Sequence, residues 1–326
     1  MDKFKKLIEA LGTSRVKLNE SMTHHTTFKI GGPAGVFFEA GTQNDLILAV
    51  ETTKKQNIPY FIIGSGSNLL VSDKGFTGLI IKNNAKKIQM HALSGKVNKG
   101  IVNVNDVFIE VQSGVLFNQL IRYTLDEGFS GLEYFLGQPG TVGGAIWVNA
   151  HFLQFKVFVG DFVVSAKIIT DKGLIKNVRK SYFQFGYDET RIKKTNDVVL
   201  SVIFKLKKGD KKILWEKAMH SLEYRKKTQP TLPSAGCVFK NIKKADAILL
   251  GTPNYTCSAG YLIDQCGLKG KKEGGAMISD QHANFIVNYD NAKACDVKKL
   301  MEVMKSEVRK KFHIELVPEI VLLGDF

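Results

Sequence analysis

The chain has 326 residues, 44% hydrophobic and 24% charged, and its 46 basic and 31 acidic side chains give a net charge of +15. That size and balance predict a soluble globular protein of two or three domains. No apolar run nears the roughly eighteen residues of a membrane helix, and the start, Met1-Asp2-Lys3-Phe4-Lys5-Lys6, lacks an apolar signal region, so a cytoplasmic location is expected.

The lysines are dispersed as doublets such as Lys54-Lys55, Lys86-Lys87 and Lys207-Lys208, with no basic arm and no aromatic–basic motif. No nucleic-acid partner is expected, and the charge instead favours small polyanions by steering. Cys237, Cys257, Cys266 and Cys295 form no C-x-x-C pair, and the adjacent His24 and His25 would point to opposite faces of a strand. Reduced thiols and no metal site are expected.

In chain order, 45–56 has apolar residues at 46, 47, 49 and 50 behind an acidic start and reads as a helix. Tyr60 to Ile63 reads as a strand that runs into Gly64-Ser65-Gly66-Ser67-Asn68-Leu69. Leu79-Ile80-Ile81 is a second strand, and 102–112 alternates with β-branched residues, hence a third. Val115 to Glu127 reads as a helix closed by Gly128. Phe135-Leu136 approaches a second glycine loop, Pro139-Gly140-Thr141-Val142-Gly143-Gly144-Ala145.

Strands follow at 162–169 and 198–206, with a turn at Asp171-Lys172-Gly173. The charged run 207–212 is the best linker candidate. A helix is expected over 213–228, stopped by Pro230, and a short one from Cys257-Ser258 to Gln265, capped by Ser258 and ended by Gly267. Phe285-Ile286-Val287 reads as a strand, and 297–312, apolar at 297, 300, 301, 304 and 308, as an amphipathic helix. Glu315 to Leu323 is an apolar run carrying two carboxylates. The mixture is α+β.

Glycine loops let a backbone approach bound oxygens with its amides, as phosphate sites require. The first loop is no dinucleotide fingerprint, because Leu69 stands at the third glycine position and the residues after it are broken by turns. No Gly-Lys-Ser/Thr follows either, which removes a Walker site. One such loop is equally well a tight turn with no ligand. Two on one chain suggest a diphosphate held from both sides.

The block 137–145 followed by Asn149-Ala150 resembles the UDP-N-acetylenolpyruvoylglucosamine reductases, flavoproteins of bacterial cell-wall synthesis. The same family resemblance runs in order through Thr26-Thr27-Phe28-Lys29-Ile30-Gly31-Gly32, 64–70, Gly236-Cys237-Val238-Phe239-Lys240-Asn241, Ala259-Gly260 to Gly270, Gly275-Ala276, Ser279, His282-Ala283-Asn284-Phe285 and Pro318-Glu319. The chain lacks the extra tyrosine-bearing loop of one branch and is similar to the shorter type.

The resemblance implies three domains. Two, 1–83 and 84–210, form an FAD unit of the vanillyl-alcohol-oxidase type; 211–314 covers the substrate, and 315–326 returns to the first. It implies non-covalent FAD held by Gly64, Ser65, Gly66, Ser67, Asn68, Leu69, Pro139, Gly140, Thr141, Gly143, Gly144, Ala145 and Asn149. NADPH is the implied hydride donor, and UDP-N-acetylglucosamine enolpyruvate the implied acceptor, which becomes UDP-N-acetylmuramate in a monomeric, cytoplasmic, membrane-free enzyme.

Cys237 stands where the family has a proton-donating serine, and Glu319 matches a second catalytic residue. Lys240, Asn241, Tyr187 and Arg225 match or lie near substrate-binding positions. One departure is large: the family's Tyr-Arg-x-Ser reads Tyr187-Asp188-Glu189-Thr190 here. Arg191, three residues on, is expected to reach the site as the replacement cation, with Asp188 turned away or paired with a lysine. A catalytically weak homologue that still binds FAD or a UDP-sugar is the alternative that Asp188 raises. Gln138, His151 and the extra residues between Asn241 and Ala259 are further departures.

Overall fold

A computed structural model describes residues 2–98 and 101–326. The chain gathers into two compact units, each with its own apolar core. One holds the chain up to Lys17 with 37–65 and 79–225, and the other holds 18–36, 66–78 and 226–326.

In the first unit an antiparallel sheet runs in the order Ile175–Arg179, Val163–Ile169, Val198–Lys208, Ile101–Gln112, Ile88–Asn98, with Phe129–Ser130 also paired to Val198–Lys208. Val202 lies opposite Val111, Phe204 opposite Ile109 and Leu206 opposite Val107, all six buried. Alternate residues of two β-branched strands thus line one face, as the period of two demands. The helix Phe117–Asp126 covers that core with Leu120, Ile121 and Leu125. Gly128, at φ 73°, closes it in the left-handed conformation that glycine adopts without strain.

Tyr60–Ile63 pairs in parallel with Phe76–Asn83, from Tyr60 opposite Leu79 to Ile63 opposite Lys82. The helix Gln43–Gln56 before it begins at a capping box in which Thr42 and Asp45 satisfy each other's backbone amides.

In the second unit Ala294–Phe312 buries Val297, Leu300, Met301, Met304 and Val308 as one helical stripe. Its core also takes Leu262 and Ile263 of Ala259–Gln265, the helix that Ser258 caps, and Ile278 and Ile286 of a three-stranded antiparallel sheet. Both carboxylate oxygens of Asp73 accept hydrogen bonds at the N-terminus of the long helix, from the Ala294 amide at 2.8 Å and the Cys295 amide at 2.9 Å. Val321–Leu323 pairs in parallel with Leu69–Val71, which brings the closing residues back to the strand after the first glycine loop.

Two expectations need correction. The run 207–212 is no linker: Val198–Lys208 reaches into it and Lys211–Thr228 starts after only two intervening residues. Strand alternation leaves Lys205 and Lys207 exposed, so the charges decorate a sheet. Leu214 and Ala218 of that helix belong to the first core, and the first unit runs on to Arg225. The helix expected from Val115 starts at Phe117, because the Val115 amide turns back to the Gln112 carbonyl at 3.1 Å. Among the described residues no helix is long and apolar enough to cross a membrane.

Candidate active site

The two glycine loops meet inside the first unit. A Cβ on Gly64 would lie 2.3 Å from Thr141 Oγ1, so only glycine allows the loops this close. The second loop is fixed by backbone bonds: Phe117 N donates to Gly140 O at 3.0 Å, Val142 N to Val115 O at 2.9 Å and Gly143 N to Ser113 O at 2.8 Å. Thr141 then caps the short helix Val142–Val148. Each loop region leaves one buried side-chain oxygen without a partner among the described residues, Ser65 Oγ in the first and Gln138 Oε1 in the second. Buried polar atoms are nearly always bonded, so the paired loops fit a polar group that brings its own donors and acceptors.

The first loop continues into the second unit, where Gly66 takes φ 65° and a Cβ would stand 2.2 Å from the His25 carbonyl oxygen. Asn68 Nδ2 donates to the Glu319 carbonyl at 3.2 Å, and Leu69 is buried in the strand that pairs with Val321. Asn149, expected to contact the cofactor, has both ends of its side chain committed. Its Nδ2 donates to Gly186 O at 2.8 Å and its Oδ1 accepts from Gly160 N at 3.0 Å. The side chain thus holds the turn at Gly186.

That turn carries the Tyr187 cluster. Asp188 is 1% exposed at φ 47°, and Lys193 Nζ lies 2.9 Å from its Oδ1 and 2.6 Å from its carbonyl oxygen. The same ammonium stands 4.4 Å over the Trp147 ring. Thr190 Oγ1 donates to the Trp147 carbonyl at 2.8 Å, so the segment is tied to the helix after the second glycine loop. His151 packs its ring 4.8 Å from Tyr187, and Arg225 sets its guanidinium 4.6 Å over Phe152. Burial pushes the His151 pKa down, with Arg225 and Lys193 adding to this; the Asn149 carbonyl and the Asp188 charge act in the opposite direction.

Asp188 is thus paired with a lysine, but Arg191 does not reach it. Arg191 is exposed, 4.6 Å over the ring of Tyr182, whose hydroxyl donates to Asp197 at 2.7 Å. The backbone turns at Asp188 and enters the Ile192–Thr195 helix, which brings Lys193 back and sends Arg191 outward. An exposed cation–π contact contributes about 0.5–1 kcal/mol. Arg191→Ala is therefore expected to change turnover less than twofold, as steady-state kinetics will show.

In the second unit Cys237 and Glu319 lie on neighbouring backbone segments. Cys237 bridges Phe285, Phe239 bridges Pro318, and the Glu319 amide donates to the Val238 carbonyl at 2.8 Å. Asn284 braces this ladder, accepting from the Phe239 amide at 3.0 Å and donating to its carbonyl at 2.7 Å. Both Cys237 and Glu319 are half-buried. The Lys240 amide donates to the Val317 carbonyl at 2.9 Å, and Asn241 Oδ1 accepts from Ala259 N at 3.2 Å, so these residues begin the next segment of the same unit. Among the described residues no cluster of His, Cys, Asp or Glu could hold a metal.

The residues that sequence reasoning missed are Lys193, Trp147 and Asn284. Only the last had a signal, its place in the block 282–285.

A family model described as UDP-N-acetylenolpyruvoylglucosamine reductase, C-terminal domain, matches residues 228–323, and an FAD binding domain model matches residues 34–179. A protein of Clostridium tetani named UDP-N-acetylenolpyruvoylglucosamine reductase is 35% identical over 98% of this chain and 95% of its own length. One of the same name from Chloroherpeton thalassium is 37% identical over 95% of this chain and 93% of its own. The crystal structure of UDP-N-acetylenolpyruvylglucosamine reductase from Thermus caldophilus matches 95% of this chain and 98% of its own, with a TM-score of 0.73 and 30% identity.

Proposed function

The chain belongs to the UDP-N-acetylenolpyruvoylglucosamine reductase family, and from that membership we propose that it reduces UDP-N-acetylglucosamine enolpyruvate to UDP-N-acetylmuramate, with NADPH as the donor and FAD as the resident cofactor. The observation that carries this reading is the juxtaposition of Cys237 and Glu319 through the Val238 carbonyl. It supports assigning two acidic groups of different strength, the Cys237 thiol and the Glu319 carboxyl, to one site.

FAD, when bound, carries the hydride from NADPH to the vinyl methylene carbon. The residues proposed to hold it are those of the loops 64–69 and 139–145, whose unpartnered Ser65 and Gln138 oxygens support the assignment. Asn149 is assigned to the cofactor with them, and its side chain also fixes the Gly186 turn.

Once hydride has reached the methylene carbon, the neighbouring carbon holds an electron pair delocalised into the carboxylate. Cys237 is assigned to protonate that carbon. A thiol has a pKa near 8.5, far below an alcohol, so it surrenders a proton readily, and the thiolate is then reprotonated from solvent. Glu319 is assigned to stabilise the developing charge by donating a hydrogen bond in its protonated form. Lys240, Asn241, Tyr187 and Arg225 are assigned to the substrate's phosphates, sugar and carboxylate. Asp188, the one feature favouring an inactive homologue, has its charge balanced by Lys193 at 2.9 Å.

The test is anaerobic stopped-flow: reduce the flavin with NADPH, add the enolpyruvyl substrate and follow the return of flavin absorbance. Absorbance that does not return overturns the reading. Gly64→Val, which must push Thr141 aside, is expected to purify without flavin. The ratio of flavin to protein absorbance measures this, and a fully yellow variant would remove the first loop from the cofactor site.

A further inference from the structure

We infer that His151 is a further substrate-contacting residue, accepting a hydrogen bond from an N–H or O–H of the sugar nucleotide through Nε2. The inference rests on the reductase reading above.

The geometry fixes what the ring can offer. His151 opens a short strand opposite Phe158, and its ring is set between Tyr187 at 4.8 Å and Phe158 at 5.6 Å. Nδ1 lies 3.3 Å from the Asn149 carbonyl oxygen, which can only accept. The proton of the neutral ring therefore sits on Nδ1, and Nε2 carries the lone pair. Nε2 makes no hydrogen bond among the described residues, whereas Asn149, which sets the tautomer, is itself held by Gly160 and Gly186.

The charged groups that face the ring are Arg225 and Lys193, both cations, and Asp188. The cations can only donate, and the buried Oδ1 of Asp188 is already paired with Lys193. A sugar nucleotide brings hydroxyl and amide donors as well as phosphates. Nε2 is the neutral acceptor that this cluster presents to them. Burial, the first cause, and the two cations hold the ring in the neutral form that accepts.

The test compares His151→Phe and His151→Gln in steady-state kinetics with the enolpyruvyl substrate from pH 5 to 8. Turnover by the wild type tests the reductase reading by itself, and the contrast between the variants tests His151. His151→Phe keeps an aromatic ring against Tyr187 but has no acceptor, and its KM is expected to rise on the order of 3- to 10-fold, the scale of one hydrogen bond. His151→Gln returns an acceptor near the ε position and is expected to recover most of that loss.

Protonation turns Nε2 into a donor, and a lowered folded pKa delays this to more acid pH. The wild-type 1/KM is therefore expected to hold down to about pH 6.5, the ordinary histidine value, and to fall below it. His151→Gln is expected to lack that fall. An unchanged KM in His151→Phe, or an acid limb surviving in His151→Gln, overturns the inference, and the second result applies even if the Phe variant does not fold.

Discussion

Cys237→Ala will leave flavin reduction by NADPH close to the wild-type rate and slow reoxidation by the enolpyruvyl substrate by about 10²-fold or more, the usual scale for a lost general acid. The asymmetry follows from timing, since the thiol proton is needed only after the hydride has left. The backbone of residue 237 bridges Phe285, and the Glu319 amide reaches the Val238 carbonyl; neither uses the sulfur. Removing a half-buried sulfur therefore leaves the ladder in place. Glu319→Gln should show the same asymmetry, because its main-chain bond survives while its acidic proton does not. Stopped-flow of the two half-reactions separates the outcomes, and equal slowing of both would make Cys237 a packing residue.

Lys193→Met will be the most destabilising single change in the first unit outside its apolar core. It strips the ammonium from a carboxylate that is 1% exposed. Breaking a buried pair from one side costs about 3–5 kcal/mol, because the buried carboxylate loses the cation that balances it. For a unit of this size that corresponds to a fall in Tm of roughly 6–20 °C. The double variant Asp188→Asn/Lys193→Met should regain most of the loss, since it removes the buried charge together with its cation and asparagine tolerates the φ of 47°. Thermal denaturation by circular dichroism measures both. A Lys193→Met variant that melts with the wild type would show that water reaches Asp188.

The strands and helices that position the site were readable because one periodicity ruled each. Tyr60 to Ile63 is the observed strand, and 297, 300, 301, 304 and 308 are all buried on one helix. The glycine loops were readable as loops, but not that Gly64 and Thr141 touch, because that contact spans strands whose pairing no local pattern specifies. Arg191 was misplaced because linear distance was used where backbone handedness decides. A left-handed residue at Asp188 followed by a helical turn brings the fifth residue back and sends the third away. The run 207–212 misled because charge density was read without strand register, and alternate lysines on an exposed strand look like a linker.

The pairing of Leu69–Val71 with Val321–Leu323, and the Asp73 clamp on Ala294 and Cys295, have a consequence for the order of synthesis. The strand following the first glycine loop leaves the ribosome with its hydrogen-bonding partner still some 250 residues from being made, a wait of roughly 10–50 s at 5–20 residues per second. Residues 79–225 can pack among themselves during that interval. Leu69–Val71 lacks its parallel partner until nearly the last codon is read, so a ribosome that stalls before it releases a chain in which residues 79–225 can be packed while the bond between Glu319 and Val238 was never made.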